Sequence, residues 1–163
     1  MHLLWIIYNC QSDFMLIYCD MDGVLVHQTG RDGFDVMPWA ADGKDLWEYI
    51  KSLNPTVLSQ LSPDIYLRGA LQKRVWCSRE LGVMVPLIVV RAWYYETAKF
   101  EYSEPGAVLI DDPLEQHRPA WVERGGVFIH HRSAKSTIAR LEALVRLMTD
   151  CAIAGGAGRH VWA

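Results

Sequence analysis

The chain has 163 residues, a length that suits one domain built around one hydrophobic core. Apolar residues make up 51% of the sequence and charged residues 21%, a balance that excludes a chain disordered throughout its length. The formal net charge is -3, which excludes the overall basic surface by which many proteins hold nucleic acid, although a local basic patch stays open.

The cysteines and the first residues place limits on the compartment. Four cysteines are scattered along the chain without a Cys-x-x-Cys pair, so neither a zinc site nor a disulfide framework is expected. Cys19 and Cys77 lie in apolar patterns and are predicted to be buried thiols of a cytoplasmic protein. The apolar run Leu3–Tyr8 is too short to span a bilayer and lacks the basic start of a signal peptide, so no membrane partner is expected.

Short apolar runs alternate with helical patterns along the chain. Strands are predicted at Met15–Cys19, Thr56–Ser59, Leu87–Val90, Ala107–Ile110 and Val127–Ile129. Helices are predicted at Asp42–Leu53, Ser62–Leu81, Pro113–Arg124 and Ala134–Met148. This alternation predicts an α/β domain, a Rossmann-like parallel sheet of about five strands with helices on both faces. The domain is expected to cover residues 15–150, with an N-terminal appendage at 1–14 and a flexible C-terminal tail at 151–163.

Local signals indicate how the helices begin and which faces they bury. Asp42 is expected to cap the first helix, and Ser62-Pro63-Asp64 to start the second. Apolar residues at helical spacing mark one face of the second helix: Leu67, Leu71 and Val75. Three tryptophans on helical faces are expected in the core: Trp47, Trp76 and Trp121.

Acidic residues are concentrated at two of the predicted strand ends. Asp20 and Asp22 follow the first strand, and Asp111 and Asp112 follow the fourth. Ligands of parallel sheets bind beyond the carboxyl ends of the strands, so these acids are expected to meet. Four carboxylates in one cleft repel each other unless a cation joins them, and Mg²⁺ prefers carboxylate oxygens together with water.

Two further polar residues are candidates for the same place. Ser59 ends the second predicted strand, where its hydroxyl would donate a hydrogen bond to a phosphate oxygen. Lys99 precedes the fourth strand and would balance the acids and hold the phosphate, with Lys73 as the alternative lysine. A metal at this point would bind a phosphate oxygen as well and stabilise charge on phosphorus.

The motifs resemble those of a known family. Asp20-Met21-Asp22-Gly23-Val24-Leu25 is similar to the Asp-x-Asp-Gly-x-[Leu/Thr/Val] signature of the haloacid dehalogenase-like (HAD) superfamily. The later signatures follow in the order of that family: Ser59, then Lys99, then Asp111-Asp112. The resemblance extends from about Met15 to Met148. Tyr102–Asp112, with Trp121 and Gly125–Ile129, resembles small phosphatase-like HAD proteins of phages and bacteria near the 5'(3')-deoxyribonucleotidase group.

The resemblance implies a Mg²⁺-dependent phosphomonoester hydrolase with an aspartyl-phosphate intermediate. In that mechanism Asp20 attacks phosphorus, and Asp22 protonates the leaving oxygen and later activates water. Ser59 and Lys99 bind the transferring phosphate. The metal ligands are Asp20, the backbone carbonyl of Asp22, and Asp112. Asp111 is placed behind them, where it orients Lys99 or a metal-bound water, although the roles of Asp111 and Asp112 could be exchanged.

The chain leaves room for only a minimal cap over the site. About His27–Ala41 is available after the first motif, and one helix and one strand use up the chain between Ser59 and Lys99. The site is therefore expected to be open, or closed by another subunit of a homo-oligomer. An open site favours a large substrate, and it is at odds with a deoxyribonucleotidase, whose cap grips the nucleoside.

Several functions compete on this sequence. The leading prediction is a phosphatase that acts on a nucleotide or another phosphorylated small molecule. A 3'-phosphatase of nucleic-acid ends would need a cleft rimmed by basic residues, for which the candidates are Arg31, Arg68, Lys73 and Arg74. A signalling receiver domain uses similar residues but places its paired acids first. A catalytically silent HAD-fold binding protein is disfavoured because the motif set is intact.

Each candidate also has a purely structural interpretation. Asp-Gly is a common turn, a serine can cap a turn, exposed lysines are frequent, and acids are favoured at helix starts. The order of the motifs favours the functional interpretation for the acids, Ser59 and Lys99. The histidines have no spacing typical of metal ligands and are expected at the surface or in loops: His27, His117, His130 and His131.

Overall fold

The computed structural model describes residues 15–27, 33, 36–93, 98–112 and 117–157, with side chains up to residue 150. Five strands form one sheet in the order β3-β2-β1-β4-β5, and every pairing is parallel. The strands are β1 Leu16–Cys19, β2 Thr56–Leu61, β3 Leu87–Arg91, β4 Ala107–Asp111 and β5 Val127–His130. The predicted α/β fold with a five-stranded parallel sheet is confirmed, whereas the predicted appendage at 1–14 lies outside the described residues.

The described residues contain four α-helices and two short 3-10 turns, of which all but the last helix lie between strands. The helices are α1 Gly43–Ile50, α2 Tyr66–Glu80, α3 Arg118–Glu123 and α4 Ala134–Ala157, and the 3-10 turns are Lys51–Leu53 and Lys99–Tyr102. Helix α2 begins later than predicted because Ser62–Ile65 forms a turn, in which the Ile65 N–H donates to the Ser62 carbonyl. Helix α4 continues past Met148 into the segment predicted to be a flexible tail, a segment without proline.

Two apolar layers lie on opposite faces of the sheet because successive strand residues point to opposite sides. One layer joins Ile17 and Cys19 of β1 to the inward faces of α1, α2 and α4. The other joins Leu109 of β4 to Trp121 of α3, where the Tyr18 ring lies edge-on to Trp121 at 5.7 Å. The tryptophans and thiols predicted to lie in the core are all buried: Trp47, Trp76, Trp121, Cys19 and Cys77.

The strand order creates a crevice at the carboxyl ends of β1 and β4. The chain runs from β1 outward through β2 and β3, then returns to add β4 on the other side of β1. Cys19 of β1 is paired with Ile110 of β4, and the Asp20 N–H donates to the Ile110 carbonyl at 2.8 Å. Connections that leave in opposite directions at this point open a crevice between them, where ligands of such sheets bind.

Helix α2 buries a different face from the predicted one. Leu67, Leu71 and Val75 are 84%, 66% and 47% exposed, so the prediction that their stripe marks the packed face is wrong. The buried face carries Lys73 and Trp76 instead. Trp76 donates its indole N–H to the Met37 carbonyl at 2.8 Å, and Lys73 reaches an acid after β1, so these larger anchors set the rotation of the helix.

Asp42 joins two helices rather than capping its own. It stands before α1 without a side-chain hydrogen bond to that helix. Its Oδ2 accepts the backbone N–H of Ala134, the first residue of α4, and its Oδ1 lies 3.5 Å from Nε2 of His131. His131 lies in the loop after β5, one of the two positions predicted for it, but its side chain is buried and its Nδ1 lies 2.9 Å from the Thr137 hydroxyl.

The described part of the segment after β1 folds back on itself. Val26 forms a bridge with Trp39, and the His27 N–H donates to the Pro38 carbonyl. The Trp39 ring lies 5.0 Å from that of Trp76 on α2. The carboxyl end of β1 is therefore connected to α2 through this segment.

Candidate functional site

A buried ion cluster lies where β1 and β4 end. Asp20 follows β1, Asp111 is the last residue of β4, and Lys99 is the first residue of the 3-10 turn that precedes β4. Nζ of Lys99 is 2.8 Å from Oδ1 of Asp20 and 3.0 Å from Oδ2 of Asp111. All three side chains are almost inaccessible to solvent. One ammonium group thus lies between two of the acids that the sequence predicted would meet.

The cluster has unusual proton affinities. Burial raises the pKa of Asp20 to about 7, against the lowering influence of Lys99, and the negative charges of Asp111 and Asp22 add to the increase. Burial acts to lower the pKa of Lys99, but the carboxylates of Asp20 and Asp111 outweigh it and raise that pKa above its ordinary value. Lys99 is therefore a permanent cation, and Asp20 changes its charge near neutral pH.

A second polar cluster surrounds Asp22. Ser59 of β2 donates its hydroxyl to Oδ2 of Asp22 at 3.2 Å, and the ammonium of Lys73 is paired with the same oxygen. Ser59 and Lys73 are fully buried, while the side chain of Asp22 keeps 18% of its surface exposed. Lys73, considered in the sequence as a replacement for Lys99, is thus a second lysine with its own acid. Its position three residues before the buried Trp76 is the signal that would have placed it inside.

Asp112 lies against the turn that follows Asp22. Gly23 has a φ of 79°, in the left-handed region, and a Cβ at this position would lie 3.1 Å from Asp112 Cβ and 3.2 Å from Oδ2. The Asp112 N–H donates to Oδ1 of Asp111 at 2.9 Å. The structure therefore brings the six predicted site residues to one edge of the sheet: Asp20, Asp22, Ser59, Lys99, Asp111 and Asp112.

This edge of the sheet carries oxygen donors of the kind that Mg²⁺ prefers when it keeps several waters. Asp20 precedes the Met21–Val26 turn and Asp112 contacts it, so two carboxylates and the Asp22 main-chain carbonyl are available as hard oxygen donors. Mg²⁺ is usually held by one or two carboxylates and keeps several waters. Among the residues that the structure describes, no three His, Cys, Asp or Glu side chains are grouped as a metal site. A zinc centre, which takes three or four protein ligands, is not indicated by this donor set.

His117 is a residue of the site that the sequence did not reveal. It lies in the turn before α3, so the loop alternative of its predicted surface or loop position holds, and its side chain is buried there. Burial and, after it, the positive charge of Lys99 lower the pKa of His117 to about 4, against the raising influence of Asp20. His117 is therefore neutral at pH 7 and within electrostatic range of Asp20 and Lys99. The four-residue spacing from the core residue Trp121 is the signal that would have placed it inside.

The basic rim expected for a nucleic-acid substrate is not assembled by the described residues. Lys73 is buried and paired with Asp22, and Nη2 of Arg74 donates to the Leu87 carbonyl at 2.9 Å. Arg68 is exposed on α2, whereas Arg31 lies outside the described residues. The predicted group of four basic residues therefore does not form a rim as a set.

Comparisons with known proteins do not assign the chain to a family. No family model matches the sequence, and no curated protein is found to be similar to it. Within the described part of the chain, no helix has the length and apolar character needed to cross a membrane. The function must be inferred from the geometry of the chain's own residues.

Proposed function

We propose that the protein is a Mg²⁺-dependent hydrolase of phosphomonoesters, a HAD-type phosphatase in which Asp20 forms an aspartyl-phosphate. The observation that carries the proposal is the position of Lys99 between Asp20 and Asp111 at the crevice of the sheet. The crevice is the place where a parallel sheet of this order binds ligands. The substrate is a nucleotide or another phosphorylated small molecule.

Asp20 is the nucleophile in this proposal. Its backbone N–H is fixed on the Ile110 carbonyl, so the residue is held at the end of β1. One carboxylate oxygen lies beside Lys99, whose charge also suits the phosphate oxygens that gather negative charge as phosphorus is attacked. When bound by Asp20, Asp112 and the Asp22 carbonyl, Mg²⁺ would supply further positive charge to the phosphoryl group and favour the ionised form of Asp20.

Asp22 moves the protons of the two half-reactions. In the first, an Asp20 oxygen bonds to phosphorus, the bond from phosphorus to the leaving oxygen breaks, and Asp22 gives its proton to that oxygen. In the second, water attacks phosphorus while Asp22 takes the proton from water, which releases phosphate and restores Asp20. Ser59 donates its one hydroxyl hydrogen to Asp22 in this structure, and the same hydrogen would turn to a phosphate oxygen when a substrate binds.

The strand order argues against the alternative of a signalling receiver domain. A receiver domain of the doubly wound type has the order 2-1-3-4-5. The order here is β3-β2-β1-β4-β5, which argues against a receiver domain. A 3'-phosphatase for nucleic-acid ends is disfavoured because Lys73 is paired with Asp22 inside the protein and does not lie on a basic rim.

Phosphate release with Mg²⁺ tests the proposal and separates an enzyme from a catalytically silent binding protein. The substrates are nucleoside monophosphates, sugar phosphates and 3'-phosphorylated oligonucleotides, each with Mg²⁺ or with EDTA. We expect release that depends on Mg²⁺ and falls by at least about 10³-fold in Asp20→Asn, which removes the nucleophile. Asp45→Asn, at an exposed acid of α1, is the matched control and should keep the activity of the wild type. Equal rates in the wild type and Asp20→Asn, or no release from any substrate, would contradict the proposal.

A further inference from the structure

The lysine on the inner face of α2 takes no direct part in the two half-reactions proposed above. Lys73 lies within a 15-residue helix, and its side chain is fully buried. Its ammonium is paired with Oδ2 of Asp22 and lies 3.9 Å from the Met21 sulfur. Removing an ammonium from water costs several kcal/mol unless a partner compensates for the loss. The helix therefore carries a charge whose described ion pair is with the second acid of the site.

The two donors that reach Asp22 are selective for one of its oxygens. Both the Ser59 hydroxyl and the Lys73 ammonium contact Oδ2. Among the described contacts of Asp22, this leaves Oδ1 as the oxygen that can meet a substrate, and the carboxyl group is also the partly exposed member of the cluster. A carboxyl group that is held by one oxygen presents the other in a fixed direction. Such control of direction matters because proton transfer requires the donor to lie within hydrogen-bond distance of the leaving oxygen.

The helix that carries Lys73 is itself fixed in rotation. Trp76 is on the same buried face, and its indole N–H is bonded to the Met37 carbonyl in the segment that returns to β1. The Trp39 ring packs on Trp76 from that segment, and Trp39 Nε1 donates to Glu80 of α2 at 3.2 Å. The position of the ammonium is thus determined by the core and not by a flexible surface chain.

We infer that Lys73 is a positioning residue that acts through Asp22, holding Oδ2 so that Oδ1 delivers the proton to the leaving group. The inference rests on the proposed function. Asp22 enters the step with a proton on Oδ1, while Oδ2 accepts from Ser59 and Lys73. It gives that proton to the leaving oxygen as the phosphorus–oxygen bond breaks, and it regains one from water in the second half-reaction. Lys73 itself gains and loses no proton, so its contribution depends on how strongly the leaving oxygen needs one.

The leaving group therefore provides the test. An aryl phosphate with an electron-withdrawing ring releases an oxygen that departs without protonation, whereas an alkyl phosphate needs the proton from Asp22. We expect Lys73→Met to lower kcat for the alkyl phosphate by about 10²-fold or more, and for the aryl phosphate by less than about tenfold. Lys73→Arg restores a cation and should recover part of the alkyl rate. Lys51→Met, which removes an exposed lysine paired with Glu48, is the control and should leave both rates unchanged.

A double-mutant cycle tests whether Lys73 acts through Asp22. In an Asp22→Asn background, Lys73→Met is expected to cause no further loss with the alkyl phosphate, because the group that Lys73 positions is already inactive. The double variant removes both members of the ion pair, which destabilises a protein less than removing one member and leaving the other unpaired. Its activity can therefore be measured even if Lys73→Met alone does not fold. Circular dichroism and thermal unfolding check the fold of each variant.

The outcomes separate this inference from the function beneath it. Equal losses for the two phosphates in a folded Lys73→Met protein, or a further loss in the Asp22→Asn background, would show a merely structural lysine and overturn the inference alone. If the wild type hydrolyses neither phosphate with Mg²⁺, the proposed function fails and this inference fails with it.

Discussion

Asp20 is expected to make the metal-free protein less stable as the pH rises. The pKa of Asp20 is about 7 in the folded protein, compared with 3.8 for an ordinary aspartate. The folded state therefore binds this proton more tightly than the unfolded state does. The resulting stabilisation is fully present below pH 3.8 and is lost as the pH rises through 7. Asp20→Asn removes the titrating group and leaves Lys99 beside Asp111.

The size of the effect follows from the two pKa values. One pKa unit corresponds to about 1.36 kcal/mol, so a group with these values loses about 2–3 kcal/mol of stabilisation between pH 5 and pH 8. His117 acts in the opposite direction, because its pKa of about 4 is lower than the ordinary 6.5. Its stabilisation is present above pH 6.5 and is lost as the pH falls towards 4. The two groups partly cancel in the wild type, so the difference between wild type and Asp20→Asn is the informative quantity.

Urea unfolding of both proteins at pH 5, 6, 7 and 8 in EDTA measures that difference. We expect the free energy of unfolding of the wild type, minus that of Asp20→Asn, to fall by about 2–3 kcal/mol from pH 5 to pH 8. Asp45→Asn replaces an exposed acid and should give a profile parallel to that of the wild type. Parallel profiles for the wild type and Asp20→Asn would refute the reasoning, because Asp20 would then titrate alike in the folded and unfolded states.

Two further substitutions, each with a control variant, test one contact at the edge of the sheet and one contact at the start of α4. Gly23→Ala combines a left-handed backbone with a Cβ 3.1 Å from Asp112 Cβ, whereas Gly82→Ala has a φ of 119° with open space around it. In urea unfolding, Gly82→Ala should lower the free energy of unfolding by about 1–2 kcal/mol, and Gly23→Ala should lower it by at least about 1 kcal/mol more. In calorimetric titration, only Gly23→Ala should bind Mg²⁺ more weakly than the wild type. Equal costs and equal Mg²⁺ affinities would contradict the contact with Asp112. Asp42→Ala removes the acceptor for the first N–H of α4 and should lower the free energy of unfolding, measured by thermal unfolding, by about 1 kcal/mol. The control Asp45→Ala should lower it by less than about 0.5 kcal/mol. Equal losses in the two variants would show that the Asp42 contact does not stabilise the fold.

The sheet and its acids were accessible from the sequence because their signals are local. An apolar run that ends at an acid predicts both a buried strand and a polar side chain at its carboxyl end, and β1 with Asp20 and β4 with Asp111 follow this pattern. Parallel strands place those ends at the same edge, so the meeting of the acids follows from the fold class. The partner of Lys99 was predictable for the same reason.

The contacts that were missed depend on how the helices are rotated and packed. The apolar residues that begin at Leu67 recur with a regular helical period and predict one buried face of α2. The period alone does not decide between this face and the face that carries Lys73 and Trp76, which is the one that packs on the sheet. Asp42 is a residue type that favours the N-cap position and it directly precedes α1, yet its carboxylate accepts the N–H of Ala134, which begins a helix 92 residues later. These contacts are set by packing between distant segments, for which a single sequence carries no local signal.

The pairing of β1 with β4 has a consequence for how the protein acquires its site. Asp20 is made early in the chain, but its counter-ion Lys99 and its neighbour Asp111 arrive only after β2, α2 and β3 have been added. Closing so long a loop precedes any gain from the pairing, so we expect the register of Cys19 with Ile110 to form after β1 has paired with β2. A partly folded chain that held only β1, β2, α2 and β3 would contain the residues around Asp22 but would lack Lys99 and Asp111. The proposed active site would therefore form only when β4 joins β1, and it would be lost whenever β4 detaches.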